Sequence, residues 1–226
     1  MTLLQARDLS LRLGTTQALQ DVSVDLSPGD VVSIMGPSGS GKSTLLHCLA
    51  GVLVPDSGSV LFESTDLTRS SDAERSRIRL QRMGFVFQFG DLIPELTMVE
   101  NVMLPLQLLG TKRSEARDRA RTMLDELEVG DVADGTVGVV SGGQAQRTAV
   151  ARALVHEPAV IFADEPTGAL DSAAGELVMD SLVTAAQSRG AAVVLVTHDA
   201  RVASYAHRNV TMRDGRVRAA DLTSMR

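Results

Sequence analysis

Apolar and polar residues alternate through the first part of the chain. Leu9, Leu11 and Leu13 are separated by Ser10 and Arg12, and Val22, Val24 and Leu26 by Ser23 and Asp25. A period of two is that of a β-strand with one buried face. Ser27-Pro28-Gly29-Asp30 follows as a turn, rich in residues that suit turn geometry. Val31 to Met35 is almost continuously apolar, the pattern of a strand covered on both faces. A glycine-rich stretch comes next, and the pattern predicts a helix from about Ser43 to Ala50 that Gly51 can end. Val60 to Phe62 and Gly84 to Gln88 are further predicted strands.

After Phe89 the period changes. Ala116, Ala120, Met123, Leu124 and Leu127 recur at helical spacing between Ser114 and Leu127, with arginine and aspartate opposite. Gln144 to His156 predicts another helix, and the stretch from Phe89 to Glu157 reads as mainly helical. Strands then return at Ala159 to Ala163 and at Ala192 to Val196. Between them a helix runs to Arg189, with Ser172 able to cap its start and Gly190 past its end. Asn209 to Met212 and Arg216 to Ala219 flank Asp214-Gly215, a hairpin signal. Apolar strands alternating with helices predict an α/β fold with a mainly parallel sheet covered on both faces. The expected organisation is a single domain over residues 1–226, with 1–88 and 158–226 as its core and 89–157 as an inserted helical subdomain.

Composition narrows the function. With 226 residues the chain can build one large core. A single cysteine, Cys48, excludes a disulfide framework and a multi-cysteine zinc site. The net charge is −6, no basic block is present and only 3% of residues are aromatic. Nucleic acid is therefore not expected as a partner, since neither an electrostatic stripe nor a base-stacking platform is available. No apolar run approaches the ~18 residues of a membrane-spanning helix. Gln5, Arg7, Asp8 and Arg12 interrupt the start, so it does not read as a signal peptide. The chain is expected to be soluble and cytosolic, with any membrane span supplied by another polypeptide.

Two segments carry chemistry. Gly36-Pro37-Ser38-Gly39-Ser40-Gly41-Lys42-Ser43, followed by Thr44, fits G-x-x-x-x-G-K-[ST] between a predicted strand and a predicted helix. Its glycines let backbone N–H groups curl around phosphates, and the helix aims its positive end at them. Lys42 can reach the β- and γ-phosphates, and the Ser43 hydroxyl can bind Mg²⁺. The second segment is the apolar strand Val160-Ile161-Phe162-Ala163, which ends in Asp164 and Glu165. Charges at a buried strand tip are costly unless used. Asp164 can hold Mg²⁺, and Glu165 can polarise a water for attack on a γ-phosphate.

With the segments that follow, the sequence resembles the ATP-binding subunit of ABC transporters from Leu3 to about Arg218. Val140-Ser141-Gly142-Gly143-Gln144 is similar to the family signature, with valine in place of the usual leucine. Gln146-Arg147 and Ala151-Arg152-Ala153-Leu154 continue the helix that follows it. Gln88 resembles the Q-loop glutamine, Ala169-Leu170-Asp171 the D-loop, and His198 the switch histidine. The resemblance implies a P-loop NTPase fold: a mainly parallel RecA-like sheet, an N-terminal antiparallel β subdomain and an inserted helical subdomain. It also implies Mg-ATP hydrolysis in a head-to-tail homodimer, each ATP sandwiched between one subunit's phosphate loop and the other's signature. Ser141, Gly142, Gly143 and Gln144 would then bind the partner's nucleotide, and Asp171 would sit at the dimer contact. His198 would touch the γ-phosphate and hold the attacking water with Glu165. Gln88 would sense Mg²⁺. His47, His156 and His207 read as structural or exposed, and Cys48 as packing.

With about eight residues after the predicted hairpin, a C-terminal regulatory domain is not expected. Gly84 to Gln88, Leu92-Ile93-Pro94, Glu100-Asn101-Val102 and Ala163 to Asp171 look most like one branch of the family. That branch contains the lipoprotein-releasing and macrolide-efflux ATPases and their peptide-resistance and haem-export relatives. It implies a separate integral membrane permease, attachment at the cytoplasmic face of the membrane, and export or mechanical work on a hydrophobic substrate. An importer ATPase and a cell-division regulator remain alternatives. Phe89, Leu92 and Ile93 either form the coupling surface for the permease or pack the helical subdomain. Leu13 stands where the family usually has an aromatic residue to stack on adenine, so weak base selectivity is expected.

Overall fold

The computed structural model describes residues 2–218. Met1 and residues 219–226 lie outside them, and with them Ala219, the expected end of the last strand, and both ends of the expected domain. In chain order the elements begin β1 (Leu4–Leu13), β2 (Thr16–Leu26), β3 (Val31–Met35), α1 (Lys42–Leu49), β4 (Ser57–Phe62) and β5 (Thr65–Asp66). Next come α2 (Asp72–Arg82), β6 (Met83–Phe87), α3 (Met98–Leu108), α4 (Arg113–Glu126) and α5 (Gly142–Leu154). The chain continues with β7 (Val160–Asp164), α6 (Ser172–Ser188), β8 (Ala192–Thr197), α7 (Ala200–Ala203), β9 (Arg208–Arg213) and β10 (Arg216–Val217). They fall into two compact units, one of residues 1–79 with 192–226 and one of residues 80–191.

The first unit holds two sheets. An antiparallel sheet runs β2-β1-β4-β5. β1 buries Leu4 and Ala6 in its first half but Leu9 and Leu11 in its second, a change of phase by one residue. The cause is a bulge: Ala6 faces Val24 and Leu9 faces Val22, so β1 carries one extra residue, with Asp8 at φ 50°. The second sheet sets β3 between β8 and β9, both parallel to it, and β10 closes an antiparallel hairpin on β9. Val31, Val32, Ser33 and Ile34 are buried along β3, and all six residues of β8 are buried. Such strands need no alternation because both faces are covered. Asp214 and Gly215 take positive φ at the hairpin turn, the geometry that Asp-Gly favours.

In the second unit β6 and β7 are parallel neighbours. Helices α3, α4 and α5 contact one another, and α5 also packs on β6 and α6. A glycine is required at position 84, since a Cβ there would stand 2.3 Å from the Ala153 carbonyl oxygen of α5. The predicted stripe of α4 is buried at Ala116, Ala120, Met123 and Leu124. Helix α6 starts one residue earlier in its cap than the sequence suggested. Asp171, and not Ser172, is the cap, and its carboxylate accepts from the Ala174 N–H at 2.9 Å.

Candidate functional site

Within the first unit the chemistry gathers at one end of parallel strands. β3 and β8 are in register at Met35 and Thr197, so Gly36 and His198 each lie one residue beyond the same sheet end. That end is where open α/β sheets bind ligands. The phosphate loop is built by close backbone approach. A Cβ at Gly36 would meet the Met212 carbonyl oxygen at 2.2 Å, and one at Gly41 the Ala18 carbonyl oxygen at 2.4 Å. Ala18 is the extra residue of a bulge in β2, so the first hairpin presents its carbonyl to the loop. Gly41 has φ 98° and supplies no side-chain cap to α1, which leaves the first-turn amides of that helix for a ligand. Lys42 is almost fully buried, and its Nζ donates to the Gly36 and Pro37 carbonyls at 2.9 and 3.0 Å. Ser40 is buried with its Oγ unpartnered. A buried cation and an orphaned hydroxyl inside a cradle that admits no side chain fit a bound phosphate chain.

Leu13 is at the tip of the first hairpin, opposite Thr16, and is 46% exposed. Neither aromatic side chain among the described residues of this unit, Phe62 or Tyr205, lies at that tip. Phe62 is buried on β4 opposite Leu4, at the other end of β1. Tyr205 precedes His207, whose N–H donates to the Val31 carbonyl at the start of β3, the sheet end opposite the phosphate loop.

Within the second unit the two predicted carboxylates and Gln88 lie at the ends of neighbouring strands. β6 and β7 are in register at Phe87 and Asp164, so Gln88 and Glu165 both lie just past the same strand ends. Glu165 takes φ 48°, a left-handed backbone that costs about 1 kcal/mol or more for this residue type. A turn follows, closed by the Gly168 N–H donating to the Glu165 carbonyl at 3.0 Å. The Gln88 side chain lies against that turn, 2.9 Å from where a Gly168 Cβ would be.

The signature residues open α5. Ser141 caps the helix: its hydroxyl accepts from the Gln144 N–H at 3.2 Å while Gln144 Oε1 accepts from the Ser141 N–H at 2.9 Å. An accepting hydroxyl keeps its own hydrogen to donate. Ser141, Gly142, Gly143 and Gln144 line a cleft of about 380 Å³ together with Leu170 and Asp171. Of the residues lining this cleft, only Ala174 and Leu177 carried no signal in the sequence, and Leu177 is 53% exposed. Among the described residues no group of three or more His, Cys, Asp or Glu could hold a metal ion alone.

A family model described as ABC transporter matches residues 19–168, about two thirds of the chain. The chain belongs to the ABC transporter family. Lipoprotein-releasing system ATP-binding protein LolD 2 of Caulobacter vibrioides is 43% identical over 202 residues, covering 89% of each chain. LolD of Aquifex aeolicus is 41% identical over 215 residues, 95% of this chain and 96% of the other. Among solved structures, the dimeric form of MJ0796, a bacterial ABC transporter cassette, superposes with a TM-score of 0.86 at 40% identity. The match covers 95% of this chain and 96% of that one. A post-hydrolysis dimer of the same cassette bound to ADP and Pi gives 0.86 at 39% identity, with the same coverage. The chain is thus an ATP-binding and ATP-hydrolysing subunit of the ABC type, and the expected fold and branch are borne out. No helix among the described residues is long and apolar enough to cross a membrane.

Proposed function

We propose that this ABC ATPase hydrolyses Mg-ATP as a homodimer and drives a separate membrane subunit that releases lipoproteins from the outer face of a membrane. The observation that carries the ATPase chemistry is the phosphate loop, with Lys42 buried, Ser40 Oγ unpartnered and glycine obligatory at positions 36 and 41. Lys42 Nζ would exchange its two loop carbonyls for β- and γ-phosphate oxygens, which strengthens its bonds by making both partners charged. Pro37, Ser38, Gly39, Ser40 and Thr44 complete the loop's embrace of the phosphates. Ser43, Gln88 and Asp164 would hold Mg²⁺, a hard cation that keeps a few protein oxygens and takes the rest from phosphates and water. When bound, that ion neutralises charge building on the phosphate oxygens. Glu165 takes the proton of the attacking water, and His198 keeps that water and the γ-phosphate in line. Ser141, Gly142, Gly143 and Gln144 would bind the nucleotide of the second subunit, with Asp171 beside the contact; their shared cleft supports this.

Both units are parts of one ATP-binding domain in this reading, with residues 89–157 as its helical subdomain. Phe89 is 75% exposed and Ile93 41%, which favours a coupling surface over packing for these two. The lipoprotein assignment rests on the LolD relatives, which match nearly the whole chain. The protein would therefore work at the cytoplasmic face of the membrane, bound to its permease.

The decisive experiment replaces Glu165→Gln and Lys42→Ala separately. Glu165→Gln is expected to trap an ATP-bound dimer with turnover abolished, and Lys42→Ala to lose ATP binding itself. Turnover of Glu165→Gln at the wild-type rate would sink the base assignment. For the substrate, the chain reconstituted with its membrane subunit should be stimulated by a lipoprotein; stimulation by a macrolide or haem alone would replace that assignment.

A further inference from the structure

Gln88 opens a turn that the strand ladder does not hold. It lies beyond the last ladder pair, Phe87 with Asp164, and the next residue, Phe89, is 75% exposed. Two polar side chains of α5 grip the turn instead. Gln146, only 3% exposed, donates through Nε2 to the Phe87 carbonyl at 2.7 Å. Arg152 donates to the Gly90 carbonyl at 2.6 Å and to the Asp91 carbonyl at 2.7 Å, one guanidinium nitrogen to each. The carbonyls on both sides of Gln88 are thus held from one helix. Gly90 fits into the grip at φ 71°, where a Cβ would come 3.2 Å from Gln146 Oε1.

Burial pushes the Arg152 pKa down, so keeping a guanidinium here has a cost that its two hydrogen bonds offset. A lysine could not replace it, because only the planar fork spans two successive carbonyls in a fixed geometry. The other end of the same helix begins with Gly142 and its cap Ser141. A helix moves as a rigid element on the scale of a side-chain shift.

We infer that Gln146 and Arg152 are positioning residues for Gln88: they set its amide against Gly168 and make the Q-loop turn and the signature helix move as one body. The inference rests on the reading of Gln88 as a Mg²⁺-sensing group. It does not place either residue in contact with nucleotide or metal.

The test uses the purified full chain, with steady-state ATP hydrolysis measured against ATP and against Mg²⁺. The variants are Arg152→Lys, Gln146→Met, Gln88→Ala and the pairwise combinations with Gln88→Ala. Arg152→Lys is expected to lower kcat about tenfold and to raise the Mg²⁺ concentration for half-maximal rate about threefold, with KM for ATP within about twofold. In the Gln88→Ala background neither Arg152→Lys nor Gln146→Met should cause a further loss, because the group they position is gone. Equal losses in both backgrounds, or a wild-type kcat and Mg²⁺ requirement for Arg152→Lys, would overturn the inference alone. A Gln88→Ala protein with unchanged kcat and Mg²⁺ requirement would overturn the reading of Gln88, and the inference with it. Should Arg152→Lys fail to fold, Gln146→Met carries the same comparison, since it keeps side-chain volume and removes one donor.

Discussion

Asn101 offers a stringent test of how the segment after Gln88 is held. It is fully buried on α3, yet its amide serves a loop. Oδ1 accepts from the Ile93 N–H at 2.7 Å, and Nδ2 donates to the carbonyls of Ile93 and Thr97 at 3.1 Å each and of Leu96 at 3.4 Å. Consider Asn101→Leu, which fills similar space and keeps water out. The Ile93 carbonyl would still accept from the Leu96 N–H, and the Thr97 carbonyl from the N–H of residue 101. Those two acceptors lose one bond of two, at about 0.5–1 kcal/mol each. The Ile93 N–H loses the Asn101 oxygen as its partner, at about 1–3 kcal/mol. The long contact to Leu96 adds little. The sum is about 3 kcal/mol, or a fall of roughly 6–12 °C in Tm for a chain of this size. Differential scanning calorimetry at neutral pH measures it, and hydrogen exchange at Ile93 should accelerate in parallel. A melting temperature within about 2 °C of wild type would refute the accounting. It would mean that the loop finds other partners when the amide is removed.

Leu13→Tyr is expected to tighten ATP binding about fivefold, the worth of roughly 1 kcal/mol for one stacking contact. In the wild type GTP should compete nearly as well as ATP in fluorescence displacement; a strong preference for ATP would show that another group reads the base. His156 Nε2 donates to the Met83 carbonyl at 3.1 Å, its Nδ1 is buried without a partner, and burial holds its pKa below the usual 6.5. Below that value the unfolded chain binds a proton that the folded chain refuses, so stability falls as pH drops through 6.5 and is retained above it. His156→Gln should flatten the decline in Tm on going from about pH 7.5 to about pH 5.5, and an unchanged slope would remove His156 as its source. Burial pushes the Cys48 thiol up to about 12, with Asp56 adding to it. Thiol reagents should leave the native protein unlabelled at about pH 8 and label it on unfolding; rapid native labelling would contradict the burial of α1.

The strands legible in the sequence were those whose burial needs no phase. Val31–Met35, Val160–Asp164 and Ala192–Thr197 are covered on both faces, so an unbroken apolar run was sufficient signal. β1 was half legible. Leu4 and Ala6 alternate correctly but out of step with Leu9 and Leu11, and only the bulge at Asp8 reconciles them. α2 was not anticipated, because most of its residues are charged or polar and none is fully buried. It is tied down by arginines on backbone carbonyls: Arg75 on Ser70 at 2.6 Å and Arg79 on Gly51 at 2.7 Å. A side chain whose partner is a backbone carbonyl leaves no pattern, since every residue supplies the same acceptor.

The same limit separates the legible from the illegible parts of the site. Lys42, Asp164, Glu165 and the signature residues announce themselves because the chemistry demands a particular side chain at a particular spacing. Gln146, Arg152 and Asn101 do not, because what they recognise is main chain. All three were visible in the sequence as polar residues on helices with apolar faces, and a buried amide or guanidinium is expensive unless something requires it. Their burial, at 3% exposure for Gln146 and 0% for Asn101, is what turns that expense into information. A turn carrying an exposed Phe89 gains no anchor from that side chain, and polar groups brought to its carbonyls hold it. Gln146 and Arg152 of α5 hold its beginning, and Asn101 of α3 holds its end. The segment after Gln88 is therefore fixed by side chains that no nucleotide needs to touch, and residues remote from the chemistry can still decide where Gln88 stands.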